Sequence, residues 1–140
     1  MKGFVVASLL ILSQVLNAQT VKLEVTVNKI KQVSGIMVIS LYNKDTSFPV
    51  EGKEFRINLV KVTGPSVSTT FINLVPGEYA VALYHDENAD GVCNLGLFGI
   101  PKEGFGFSRN FRPKWSAPSY NDCKIEIRKD MAITIDLFFR

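Results

Sequence analysis

The chain has 140 residues, a formal net charge of +3 and basic residues scattered along its length. That balance gives no electrostatic footprint for a nucleic-acid partner. Residues 19–140 are one domain's length, enough to build a core, and no stretch among them is apolar enough to cross a bilayer.

The first residues read as an export signal. Lys2 supplies the positive start, Phe4–Leu12 an apolar run too short to span a membrane, and Ala18 a small residue at a cleavage position. The expectation is a signal peptide over 1–18 and a single domain over 19–140, periplasmic or secreted. An exported chain meets an oxidising compartment, so its two cysteines, Cys93 and Cys123, are expected to form one disulfide.

Strands follow in order. Val21, Leu23, Val25 and Val27 alternate with Lys22, Glu24 and Thr26, the period of a half-buried strand. Ile36–Tyr42 is almost wholly apolar and reads as a central strand, followed by a polar loop with Pro49 and Gly52. The next run alternates again, with Phe55, Ile57 and Leu59 expected inward. A turn at "TGPS" leads to "VSTTFINL", and "VPG" to "EYAVALYH". Near the end, "CKIEIRK" and "ITIDLFF" alternate, with "KDM" between them as a hairpin connection. Seven short strands and no convincing helix predict an all-β antiparallel sandwich.

Between strands five and six lies a long segment, Asp86–Asn121. Its 36 residues hold five of the ten glycines, three of the six prolines and six of the fifteen aromatics. Loops of that length are uncommon in compact domains unless they are functional or disordered. The rings of Phe98, Phe105, Phe107, Phe111, Trp115 and Tyr120 argue for an ordered loop that folds down and buries them.

"FINLVPGEYAVALYHDENADG" resembles the strand–turn–strand signature of transthyretin-like, or prealbumin-like, sandwiches. With "HDEN", "GIPKEG" and "GFS" in its continuation, the chain resembles the DUF2141 family of exported bacterial proteins over essentially all of residues 19–140. The resemblance implies a sandwich fold and export, and it implies no activity. Against the pattern expected of such relatives, Cys93 and Cys123 read as a local staple rather than a catalytic pair.

Four groups of residues are candidates for chemistry. Asp86, Asn88 and Asp90 stand at alternate positions before Gly91, a spacing that can converge oxygens on calcium, with Glu103 as a further ligand. Position twelve is Leu97, so this is no EF-hand, and the competing reading is an Asx-type turn. His85, the only histidine, reads as a structural residue more readily than a catalytic one, since no serine or cysteine motif accompanies it. Lys102 and Glu103 are expected at an exposed turn tip. Arg109, Arg112 and Lys114 with Phe111 and Trp115 form a cation–aromatic run that could hold an anionic glycan or a peptide, or simply pack arginine stems over rings. The function expected is a non-catalytic binding or scaffolding module that works through residues 86–121, with a glycan or an envelope protein as partner. The alternatives are a secreted hydrolase or carbohydrate-active enzyme, and a structural subunit of a cell-envelope assembly.

Overall fold

The computed structural model describes residues 19–95 and 101–139, and shows an all-β sandwich of two sheets. The strands are β1 (Val21–Asn28), β2 (Ile36–Tyr42), β3 (Arg56–Lys61), β4 (Val67–Leu74), β5 (Gly77–Asp86), β6 (Phe105–Phe107), β7 (Ile125–Ile127) and β8 (Met131–Asp136). A helical turn, α1 (Tyr120–Cys123), precedes β7. The smaller sheet runs β4-β1-β8. The larger runs β3-β2-β5-β6, with β7 also paired to β5.

β1 forms as its alternation dictates. Val21, Leu23, Val25 and Val27 are buried between the sheets, while Lys22 and Glu24 face water. Opposite them lie Met37, Ile39 and Leu41 of β2 and Val81 and Leu83 of β5. β2 is central, and the long segment covers part of its outer face. Both sides are therefore apolar, as its composition predicts.

Three expectations are corrected. First, the strands are not all antiparallel: β1 and β8 pair in parallel, from Leu23↔Met131 to Asn28↔Asp136. Secondly, "KDM" does not close a hairpin. β7 pairs with β5 in the larger sheet and β8 with β1 in the smaller, so residues 128–130 cross the end of the sandwich. Asp130 Oδ1 accepts from the backbone N–H of Lys22 at 2.9 Å and fixes that crossing. Thirdly, β3 presents the opposite face. Ile57 and Leu59 are 48% and 66% exposed and Phe55 is also exposed, while Val60 packs on the core. β3 is an edge strand facing β4 across the open side of the sandwich. There Arg56 donates to the carbonyls of Ile72 and Asn73, and Asn58 donates to Thr69 Oγ1 at 2.9 Å. Satisfying those groups turns the polar set of β3 inward.

The long segment is not one loop. It contributes β6, which makes eight strands among the described residues, and a 3-10 turn at Ser108–Asn110. It folds over the outer face of the larger sheet and makes a second core from Tyr42, Phe48, Phe105, Phe107, Tyr120 and Phe138, with Ala80 and Cys123 among them. Phe111 is half-buried. Trp115 is 96% exposed, against expectation, and Phe98 lies outside the described residues.

Candidate functional site

The outer face of the larger sheet carries a cavity of about 350 Å³. Its floor follows from the pairing register. Ser40 of β2 stands beside Ala82 of β5, and these two small side chains leave a hollow. Tyr42, Tyr84, Phe105 and Phe107 stand around them as walls, because Tyr84 is paired with Phe105 and Ala82 with Phe107. Three segments close the rim: Pro49, Glu51 and Glu54 from the β2–β3 loop, Cys93, Leu95 and Pro101, and the run Trp115–Pro118.

Phe48 anchors the first rim segment. Its ring lies 5.2 Å from that of Tyr42, 6.0 Å from Tyr120 and 6.2 Å from Phe107, all at steep angles favoured by aromatic pairs. Tyr42 also donates its hydroxyl to the carbonyl of Val50 at 3.3 Å. The far wall is held by β6. Phe105 exchanges two backbone hydrogen bonds with Phe138, and Gly104 accepts from the backbone N–H of His85 at 2.8 Å. Gly106 is required by close approach: a Cβ there would lie 2.7 Å from Ile135 Cγ2. The third segment ends in α1, where Ser119 and Asp122 form a capping box and Tyr120 donates to the carbonyl of Glu78 at 2.9 Å.

The charges around the cavity have one sign. Glu51 and Glu54 line it, and no lysine, arginine or histidine does among the described residues. Pro113 and Trp115 contribute to the wall, but Lys114 between them does not. Burial first, and then the carboxylate of Glu51, push the Tyr84 phenol up to about 12. Burial, then Glu51, Glu103 and Asp86, push the Cys93 thiol up to about 11. The Tyr42 phenol is raised further by burial and by Glu54. At neutral pH these three groups are therefore uncharged.

The sequence-predicted residues divide among different places. Asp86, Asn88 and Asp90 build a hydrogen-bonded turn. Asp86 accepts from the N–H groups of Asp90 at 3.1 Å and Gly91 at 2.8 Å. Asn88 donates to Asp90 Oδ2 at 2.8 Å, and Val92 N–H to Asp90 Oδ1 at 2.9 Å. Glu103 joins by accepting from Glu87 N–H at 3.0 Å and from Asn94 at 3.4 Å. The oxygens assigned to calcium are thus turned onto the loop's own donors, the Asx-type arrangement. Among the described residues no three His, Cys, Asp or Glu side chains form a metal-binding group.

His85 is fully buried at the end of β5. Its Nε2 lies 2.7 Å from the carbonyl of Ser34, so it carries the proton and donates, and Nδ1 lies 3.7 Å from Glu87 Oε1. Lys102 is exposed, as expected, with its backbone N–H donating to the Asn94 carbonyl at 2.8 Å, whereas Glu103 beside it is buried, its carboxylate drawn inward by Glu87 N–H and Asn94. Arg109 donates to the carbonyl of Asn121 at 3.4 Å. Arg112 lies over the ring of Phe138 at 5.4 Å. Of the cation–aromatic run only Trp115 reaches the cavity.

The disulfide expected between Cys93 and Cys123 is not formed; both are free thiols. Cys93 lines the cavity with Tyr84, whereas Cys123 is buried with Ala80 in the second core.

Sequence reading missed Tyr42, Glu51 and Glu54, which lie outside residues 86–121. The one available signal was the placing of Ser40, Ala80 and Ala82, small residues on the outer faces of two otherwise bulky central strands.

No curated protein and no solved structure matches the chain. A family model does match, over residues 25–135, and its description is "Uncharacterized protein conserved in bacteria (DUF2141)". With most of the sandwich inside that match, the chain belongs to the DUF2141 family.

Proposed function

We propose that the protein is an exported, non-catalytic binding module whose site is the cavity between the larger sheet and its covering segments. The observation that carries this reading is the aromatic-walled cavity of about 350 Å³, floored by Ser40 and Ala82. It falls within the roughly 300–1,000 Å³ typical of small-molecule sites, which are mostly apolar with a few placed polar groups. The environment of the two groups most suited to catalysis supports a binding role. His85 is buried away from the cavity wall, and the Cys93 thiol is held protonated at neutral pH, which suppresses its nucleophilicity.

Fluorescence titration with the neutral dye N-phenyl-1-naphthylamine tests the reading. Saturable one-to-one binding is expected, and Ala82→Leu, which fills the floor, should abolish it while the thermal melt stays cooperative. Unchanged binding by that variant would refute the assignment. Export is tested separately: the intact mass of protein recovered outside the cytoplasm should correspond to a chain starting at Gln19.

A second reading, a subunit of an envelope assembly, is favoured by β3. It is an edge strand with Ile57 and Leu59 exposed, a template for pairing with another chain. Sedimentation at rising concentration should show association that Leu59→Lys removes; a monomer throughout excludes self-assembly.

A further inference from the structure

We propose that the cavity selects an organic cation, an ammonium or similar group carried on an apolar body. This rests on the binding reading above and adds the chemical class of the ligand. The argument starts from what a ligand would meet. The walls are rings, Tyr42, Tyr84, Phe105 and Phe107, with Trp115 at the rim. The π-faces of such rings attract a cation, most strongly where water is excluded. The formal charges at the lining are the carboxylates of Glu51 and Glu54, both negative. An anionic ligand would lose its hydration against those carboxylates, and among the described lining residues there is no lysine, arginine or histidine to receive it.

The neighbouring groups report the same field. The phenols of Tyr42 and Tyr84 and the thiol of Cys93 are all disfavoured as anions, first by burial and then by surrounding carboxylates, those of Glu54 and Glu51 foremost. Negative potential therefore reaches the walls and is not confined to the rim. It stands against a chain whose overall charge is +3, so the cavity's sign is a local feature. Glu54 is also fixed in place: Gly52 N–H donates to its Oε1 at 2.9 Å. A held carboxylate stabilises a cation without first having to be ordered. The polar donors left inside are hydroxyls and a thiol, which suit an apolar body with at most one or two polar atoms.

Trp115 is the chain's only tryptophan and stands at the rim, so its emission reports occupancy directly. The experiment compares three benzyl probes: benzyltrimethylammonium, its neutral carbon isostere neopentylbenzene, and the smaller anion phenylacetate. The cation should bind at least tenfold more tightly than the isostere, and phenylacetate more weakly than either. In the double variant Glu51→Gln, Glu54→Gln, cation affinity should fall at least tenfold, while the isostere stays within twofold of its original value. A matched thermal melt shows that the variant is folded. Equal affinity for cation and isostere, or a cation affinity indifferent to the double substitution, overturns the charge selection and leaves the cavity as a neutral apolar site. Failure of all three probes together with the neutral naphthylamine overturns both readings.

Discussion

Ser108→Ala tests how the long segment is attached. β6 and β7 pair with the same edge of β5, β6 over Ala82–Tyr84 and β7 over Gly77–Tyr79. Between them Ala80 and Val81 have no strand partner on that edge. The Ser108 hydroxyl occupies the gap, accepting from Val81 N–H at 2.9 Å and donating to the Cys123 carbonyl at 2.5 Å. Ser108 is 0% exposed, so water cannot replace it. Removing the hydroxyl strands one buried donor and one buried acceptor, each worth about 1–3 kcal/mol, so the loss should be about 2–6 kcal/mol. In a domain of this size that lowers Tm by roughly 8–24 °C. Urea unfolding should show a lower midpoint at unchanged slope, and amide exchange at Val81 should accelerate. Ser68→Ala is the control: that hydroxyl pairs with Thr26 at an exposed site, and its loss should cost no more than about 0.5 kcal/mol. If Ser108→Ala is as mild as the control, the hydroxyl does not join the gap and the reasoning fails.

Gly106→Ala should destabilise by about 1–3 kcal/mol through the contact with Ile135; a double-mutant cycle should show a smaller cost in an Ile135→Ala background, and simple additivity would refute the contact. Asp86→Ala removes the acceptor for two backbone N–H groups and should cost about 1–3 kcal/mol. That loss should be equal in calcium and in chelator; a loss confined to calcium would return the turn to a cation-binding role. Burial pushes the Cys123 thiol up to about 12. An unfolded thiol ionises near about 8.5 while the buried one keeps its proton, so stability should fall as pH rises above that value and be unaffected by this group below it. Cys123→Ala should flatten the alkaline decline measured by urea midpoints, and an unchanged decline would exclude the thiol as its source.

The sandwich was legible where the pattern was local. β1 alternates cleanly, and β2 is apolar on both sides because both sides are covered. What failed were the inward face of β3 and the pairing of β7 with β8, which depend on distant strands. Alternation in β3 shows two faces but not which one is inside; the answer depends on Arg56 and Asn58 finding partners on β4. The connection from β7 to β8 has the length of a hairpin, and only the positions of β5 and β1 assign its two arms to different sheets. The candidate site suffered most. Its floor comes from β2 and β5, its acids from residues 51 and 54, and its rim from the segment after residue 92, so no single window contains it. "DENADG" and "GFS" are conspicuous words, yet the hydrogen bonds of Asp86, Asp90 and Ser108 run to nearby backbone, and of these two words only Phe107 lines the cavity.

The parallel pairing of β1 with β8 also sets the order in which the molecule can be made. Among the described residues the first strand and the last are bound side by side, with the Lys22–Asp130 contact closing 108 residues. While the polypeptide emerges from a ribosome, β1 lacks one neighbour, and the core lacks Ile127, Ile135 and Leu137, until almost the whole sequence is available. Closure over such a distance is entropically costly and slow. A half-made chain is therefore still open and threadable, which is the condition a polypeptide must meet to pass through a narrow translocation channel. A truncation of the last dozen residues should leave the rest permanently in that unfinished state.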